Sequence, residues 1–279
     1  MSGKLYLCAT PIGNLEDITF RAIKVLESVD LIAAEDTRHT RKLLTHYGIK
    51  AKLTSYHEHN KYEKADELVQ KMLDGAAIAL VTDAGTPGIS DPGEELVKKC
   101  YEAGIEVTSL PGASALVVAL SMCGLSSRRF VFEGFLPAEK KERKEALARL
   151  QEETRTIVLY EAPHHVLDTL RELEKTLGAR SIRILRELTK IHESVLAFSL
   201  PEAIRYFEET EPKGEMVLVI EGKDPEEILS ESRKEWEKVS MAEHVQHYLM
   251  QGLSEKDAMK QVAKDRGISK RDVYDEVKK

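Results

Sequence analysis

Cysteine is scarce in this sequence: Cys8, Cys100 and Cys123 are the only three among 279 residues, and none stands in a C-x-x-C spacing. A disulfide framework and a cysteine zinc site are thereby excluded, and the three read as small buried hydrophobes. No apolar run approaches the ~20 residues of a membrane span, and LYLCA near the N-terminus is too short for a signal-peptide core. The expectation is a cytoplasmic protein without membrane contact. Positive charge is also in deficit, with 41 Lys and Arg against 48 Asp and Glu and a formal net charge of -7. That excludes non-specific coating of nucleic acid, which depends on neutralising phosphates, but leaves room for a local basic surface. Neither G-x-G-x-x-G nor G-x-x-x-x-G-K-[ST] occurs, so a dinucleotide or a nucleoside triphosphate is not the expected ligand.

What is there is an alternation. Apolar residues make up 42% and charged residues 32% of the chain, as in ordinary globular proteins, and the length fits about two domains. β-Rich runs alternate with helical patterns: KLYLCA then TFRAIKVLESV, LIAA then TRKLLTHYG, KLTSY then KYEKADELVQKMLDG, AIALVT then PGEELVKKCYEAG, EVTSL then ASALVVALSMCG. This predicts an α/β layer on a largely parallel sheet. The pattern breaks near Ser126 to Arg129, so a first domain is expected over 1–125 and a second over 126–223. Candidate strands in the second are FVFEGF, TIVLYE, SIRILRE, SVLAFS and EMVLVIE, with helices over 138–152 and 163–177; the close spacing of the last strands predicts a mixed sheet. The expected fold class is α/β, two αβα domains with a small helical extension over 224–279. There GKDPEEILSESRKEWEKV reads as a charged linker, followed by three short helices in MAEHVQHYLMQG, SEKDAMKQVAKDRG and SKRDVYDEV. Ser254 and Ser269 are the expected N-caps, with Gly267 dividing the last two helices. The extension either packs on the body or makes a helix-turn-helix-like contact with nucleic acid.

Three glycine-proline loops fall at the expected C-terminal ends of strands, where open α/β sheets bind ligands: ATPIGNLED at 9–17, DAGTPGISDPG at 83–93 and LPGASA at 110–115. Thr86-Pro87-Gly88 suits a type II turn, and Asp91 with Pro92 at N1 suits the start of the next helix, Glu94 extending the cap. Asp83 and Asp91 make a poor setting for phosphate, since a phosphate cradle needs N–H groups and positive potential. A cationic or neutral ligand fits better, and a sulfonium such as S-adenosylmethionine is one such ligand.

ATPIGNLEDIT, LIAAEDTRHTRKLL, YHEHN, VTDAGTPGISDPG, LPGASA, FEGFLP, YEAPHH, RELTKIHE and KGEMVLVIEG follow one another in that order. Together, over residues 4–222, they resemble the bacterial ribosomal RNA small subunit methyltransferase I family of the tetrapyrrole methylase superfamily. ATPIGNL stands where the porphyrin enzymes carry G-x-G-P-G-D, which with YHEHN and AEDTR favours the RNA branch. The resemblance implies two αβα domains with S-adenosylmethionine in the cleft between them, commonly as a homodimer. It further implies methylation of the ribose 2′-hydroxyl of a decoding-centre cytidine in 16S ribosomal RNA within the small ribosomal subunit. Implied donor contacts are Pro11 and Gly13; Asp83, Ala84, Gly85, Thr86, Pro87, Gly88, Ile89 and Ser90; Pro111, Gly112, Ser114 and Ala115; Tyr160 and Glu161; and Gly214, Glu215 and Met216. The residues themselves point only to the first three groups. YEAPHH departs from the family pattern with His165 in place of an arginine; neutral histidine cannot hold a phosphate bidentately, so that contact is not carried over.

In-line methyl transfer needs alignment of oxygen, carbon and sulfur, and a base for a weakly acidic hydroxyl. Glu35, Asp36 and His57 are the candidate catalytic groups, although Asp36 also suits the N-cap of the helix of TRKLL. Candidate RNA contacts are Arg38, Arg41, His59, Asn60, Glu187 and Lys190; Asn60 also suits an N-cap, and Glu187 with Lys190 a surface ion-pair set. KKERK at 140–144 reads as a solvated helix face. No metal is required. Two other functions stay open: a tetrapyrrole or other small-molecule methyltransferase on the same scaffold, and a ligand-sensing helix-turn-helix DNA-binding regulator.

Overall fold

The computed structural model of the chain describes residues 3–278. Strands β1 (Lys4–Cys8), β2 (Leu31–Ala34), β3 (Leu53–Ser55), β4 (Ala77–Val81) and β5 (Glu106–Leu110) form an all-parallel sheet in the order β3-β2-β4-β1-β5. Helices α1 (Phe20–Ser28), α2 (Thr37–His46), α3 (Lys61–Leu73) and α4 (Gly93–Glu102) provide the crossovers. The central strands are short and nearly all apolar because helices cover both faces. Leu5, Ala33, Ile78 and Leu80 pack with Leu68, Met72, Leu96 and Cys100 on one side, and Ile32, Ala34, Ala79 and Val81 with Ala22, Leu26 and Leu44 on the other. All three cysteines are free and buried, and burial pushes the Cys8 thiol up to about 12 and that of Cys100 to about 11.

The second sheet, β6 (Phe130–Gly134), β7 (Thr156–Glu161), β8 (Ser181–Arg186), β9 (Ser194–Ser199) and β10 (Met216–Ile220), runs in the order β6-β7-β10-β8-β9. It is mixed: β6 and β7 are parallel, and the other pairs antiparallel. Helices α6 (Lys140–Leu150), α7 (Val166–Leu177) and α8 (Leu200–Glu209) cover one face. The other face receives α5 (Ala115–Met122), whose Ala119 and Leu120, with Cys123, pack on Val158, Leu185, Val217 and Val219. Thus the helix that leaves the first sheet is built into the second. Helix α7 starts at Val166, later than the pattern predicts, because Pro163 to His165 form a turn closed by His165 N–H donating to the Ala162 carbonyl at 3.0 Å.

The charged segment expected to be a linker is instead helix α9 (Pro225–Glu237). Asp224 accepts from the Glu226 N–H at 2.8 Å and Pro225 opens the first turn, which is enough to start a helix in so charged a run. Three more helices follow as expected: α10 (Met241–Met250), α11 (Glu255–Arg266) and α12 (Lys270–Val277). Ser254 and Ser269 cap the last two, and Gly267 takes a left-handed φ of 65° between them. Their core of Val245, Ala258, Met259, Val262, Ala263 and Val273 is separate from those of the two sheets. Among the described residues no helix is long and apolar enough to cross a membrane.

Candidate active site

The three glycine-proline loops are laced to one another. Thr10 and Gly85 exchange backbone hydrogen bonds at 2.9 and 3.0 Å, and Thr86 Oγ1 donates to the Ala113 carbonyl at 3.0 Å. Gly85 has φ of 85° and Gly88 of 83°, the left-handed region that glycine reaches without strain. Gly112 lies so close to Ala9 that an added Cβ would stand 2.6 Å from the alanine methyl. Asp91 does more than the sequence assigns it. The helix begins one residue later than expected, at Gly93, with Pro92 as N-cap in place of Asp91 at N-cap and Pro92 at N1. The Asp91 carboxylate bridges backward, taking the Gly88 N–H at 2.8 Å and the Ile89 N–H at 3.1 Å, and forward to the Gly93 N–H at 2.8 Å. One side chain thus fixes both the turn and the helix start.

From the second sheet, Tyr160 OH accepts the Leu116 N–H at 3.1 Å, and Phe132 and Phe135 pack edge-on against its ring. Burial pushes the Tyr160 phenol up. Gly13 packs against Leu188, Thr189 and Lys190, and the Asn14 N–H donates to Thr189 Oγ1 at 3.1 Å, tying the first loop to the turn between β8 and β9. Glu187 accepts from the Lys190 ammonium and the Glu215 N–H, both at 3.0 Å, and Lys190 also pairs with Glu215. Gly214, with φ of 78°, leaves the space that Glu187 occupies.

Between these parts lies a cavity of ≈ 380 Å³. Of the expected donor contacts, Ala84, Gly85, Thr86, Ile89, Ser90, Ser114, Ala115, Tyr160, Glu161, Glu215 and Met216 line it. Pro11, Gly13, Asp83, Pro111, Gly112 and Gly214 lie in the same loops, outside the lining; Pro87 and Gly88 face an open groove on the other side of the turn, beside Val97 and Tyr101. Ile12, Leu185, Leu188 and Val217 form apolar walls and are not among the expected contacts. Ile12, Leu188 and Val217 lie within the motifs ATPIGNLEDIT, RELTKIHE and KGEMVLVIEG, Phe135 lies within FEGFLP, and only Leu185 lies in none of them. Four carboxylates, Glu35, Asp91, Glu161 and Glu215, line the cavity, and no Lys, Arg or His does.

Glu35, alone of the candidate catalytic groups, reaches that lining. Its Oε2 accepts from Thr82 Oγ1 at 2.7 Å and from the Asp83 N–H at 3.4 Å. Asp83 in turn accepts the Asp36 N–H at 3.0 Å, and burial pushes its carboxyl up. Asp36 caps α2 through the Arg38 N–H at 2.7 Å and holds the Arg38 side chain, which keeps its carboxyl well below the usual range. Arg38 and Arg41 are exposed on α2. In YHEHN, His57 and His59 lie with ring centroids 6.0 Å apart, and His57 Nδ1 is buried without a hydrogen-bond partner among the described residues. Asn60 occupies the N-cap position of α3, but its side chain accepts the His57 N–H at 2.8 Å and makes no cap bond. Among the described residues no group of three or more His, Cys, Asp or Glu is placed to hold a metal ion.

The model of Tetrapyrrole (Corrin/Porphyrin) Methylases matches residues 4–204. A ribosomal RNA small subunit methyltransferase I from Halalkalibacterium halodurans is 49% identical over 276 residues, 98% of this chain and 93% of that protein. The chain belongs to the ribosomal RNA small subunit methyltransferase I family. Its Synechocystis member is 50% identical over 273 residues, 98% of this chain and 96% of that one. The Thermotoga maritima member is 46% identical over 222 residues, which are 80% of this chain and 100% of that protein. Solved structures extend the fold beyond the family. Uroporphyrin-III-C-methyltransferase from Thermus thermophilus matches with a TM-score of 0.57 at 23% identity, over 78% of this chain and 94% of that one. Diphthine synthase matches with a TM-score of 0.62 at 13% identity, over 79% and 90%. The family is one of methyltransferases, and the tetrapyrrole methylase fold of two α/β sheets is the one found here.

Proposed function

We propose that this methyltransferase uses S-adenosylmethionine to methylate the ribose 2′-hydroxyl of a decoding-centre cytidine in 16S ribosomal RNA, acting on the small ribosomal subunit in the cytoplasm as a homodimer. The observation that carries the donor assignment is the cavity lined by four carboxylates and no cationic side chain. Such a site attracts a sulfonium with an ammonium tail and repels a polyphosphate. Apolar walls and closely approaching loop backbone suit the adenosine. The rRNA substrate rests on the near full-length similarity to proteins bearing that family name.

When bound, the donor supplies an electrophilic methyl group; the chain supplies alignment and proton removal. Glu35 takes the proton of the attacking hydroxyl, its carboxylate oriented by Thr82 and the Asp83 N–H. Asp36 holds the start of α2 and Arg38, and His57 lies at the neighbouring strand end. Arg38, Arg41, His59 and Asn60 receive the RNA on the first domain, and Glu187 with Lys190 on the second. In α12, Lys270 and Arg271 share the helix with Asp272, Asp275 and Glu276, a poor surface for duplex phosphates and an argument against a DNA-binding regulator. The test is incubation of the protein and methyl donor with small subunits from an unmodified strain, followed by mapping of ribose methylation. A new 2′-O-methylcytidine in the decoding centre is the expected result; its absence rejects the substrate assignment.

A further inference from the structure

Behind the cavity wall at Glu161 a chain of polar groups runs to the outer helices of the second domain. Glu161, 7% exposed, accepts the Ala162 N–H at 2.8 Å and the hydroxyl of Thr169 on α7. Thr169, with 0% exposure, accepts in turn from Arg143 Nη2 of α6 at 2.7 Å, while Arg143 Nε donates to Glu172 at 2.6 Å. The donors all point one way, from guanidinium to hydroxyl to carboxylate, so each bond polarises the next. Arg143 comes from KKERK, whose other members are exposed; it alone turns inward, and the solvated-face reading fails at this residue.

Packing does not call for this arrangement. The buried face of α7 is otherwise Val166, Leu170, Leu173 and Leu177, and an apolar residue at 169 would fill the same space without needing a partner. A carboxylate this deeply buried is costly unless hydrogen-bonded. The expense has a purpose if the carboxylate must stand rigidly at the cavity. Resting on the donor-site reading above, we infer that Arg143 and Thr169 are positioning residues for the methyl donor, locking Glu161 so that its free lone pairs meet an N–H or O–H group of the donor.

The test is the affinity of the full chain for S-adenosylhomocysteine, measured calorimetrically for wild type, Arg143→Met, Thr169→Val, Thr169→Ser, Glu161→Gln and the Glu161→Gln/Arg143→Met double variant. Arg143→Met and Thr169→Val should bind about tenfold more weakly, and Thr169→Ser within about twofold of wild type. The double variant should be no weaker than Glu161→Gln alone, because Arg143 acts only through Glu161; a merely structural role would give additive losses. In turnover the loss should fall on the KM for the donor and not on kcat. Wild-type affinity in Arg143→Met and Thr169→Val, or additive losses in the double variant, overturns the inference. If Arg143→Met does not fold, the Val and Ser variants at 169 carry the same test. Wild-type protein that fails to bind S-adenosylhomocysteine would instead overturn the donor-site reading itself.

Discussion

Glu35, Asp36 and Asp83 are three carboxylates at two neighbouring strand ends, and their partners set them to different tasks. Asp36, held ionised by Arg38, is a weak base and a good cap. Asp83, pushed up by burial, is occupied by the Asp36 N–H. Glu35 alone is both oriented by neighbours and on the cavity wall. Glu35→Gln should therefore cut kcat by roughly 10²–10⁴-fold, a loss larger than the accompanying fall in donor affinity, measured by single-turnover methylation and calorimetry. Away from the site, Glu153 grips Arg155 through both oxygens, and that hydrogen-bonded pair draws its carboxyl down from 4.5 to about 2. A carboxyl depressed in the folded state stabilises the protein above its unfolded pKa, and that stability is lost as pH falls through the folded one. Glu153→Gln should cost about 1 kcal/mol near neutral pH. The gap to wild type should close as pH falls from 4.5 to about 2, followed by denaturant unfolding.

Elements differ in how openly the sequence declares them. The ten strands of the described residues were legible because short β-rich runs such as AIALV are bounded by turn residues and mostly separated by amphipathic helices. Helix α9 was not, since EEILSESRKEWE carries only three apolar residues, Ile228, Leu229 and Trp236, in a highly charged run, and its helical start lies in the Asp224-Pro225 pair. The packing of α5 was hidden for the opposite reason: ALVVALSM is apolar nearly all round, so no face announces which sheet it joins. The site divides in the same way. Its glycine-proline loops were visible, while Leu185, Leu188 and Val217 look like any core residues, and Tyr160 and Glu161 were reached only through the family pattern. The visible loops depend on close backbone approach, and this is open to test. Gly112→Ala should place a methyl against that of Ala9 and destabilise the protein by about 1–3 kcal/mol, read as a lowered Tm and a lowered denaturant midpoint.

At the scale of the whole molecule, the cavity is built from the two sheets and the loops at their strand ends. Loops from the first sheet and strand ends from the second close one cavity, with α5 pinned between them by Tyr160. The helices after Glu221 stand apart from this: among the described residues none beyond Val217 lines the cavity, and α10 to α12 bury their apolar side chains among themselves. The Thermotoga maritima relative is matched along its whole length by 222 residues, which is the size of the body without those helices. Deletion of residues 224–279 should therefore leave a folded protein whose affinity for S-adenosylhomocysteine lies within about twofold of the full chain. Calorimetry and circular dichroism on the truncated protein check this. If donor binding vanishes while the fold persists, the extension is part of the donor site, and the cavity as drawn is incomplete. If binding persists but methylation of small subunits falls, the extension serves the encounter with the ribosome, where an appended unit with its own core is free to evolve without disturbing the cleft.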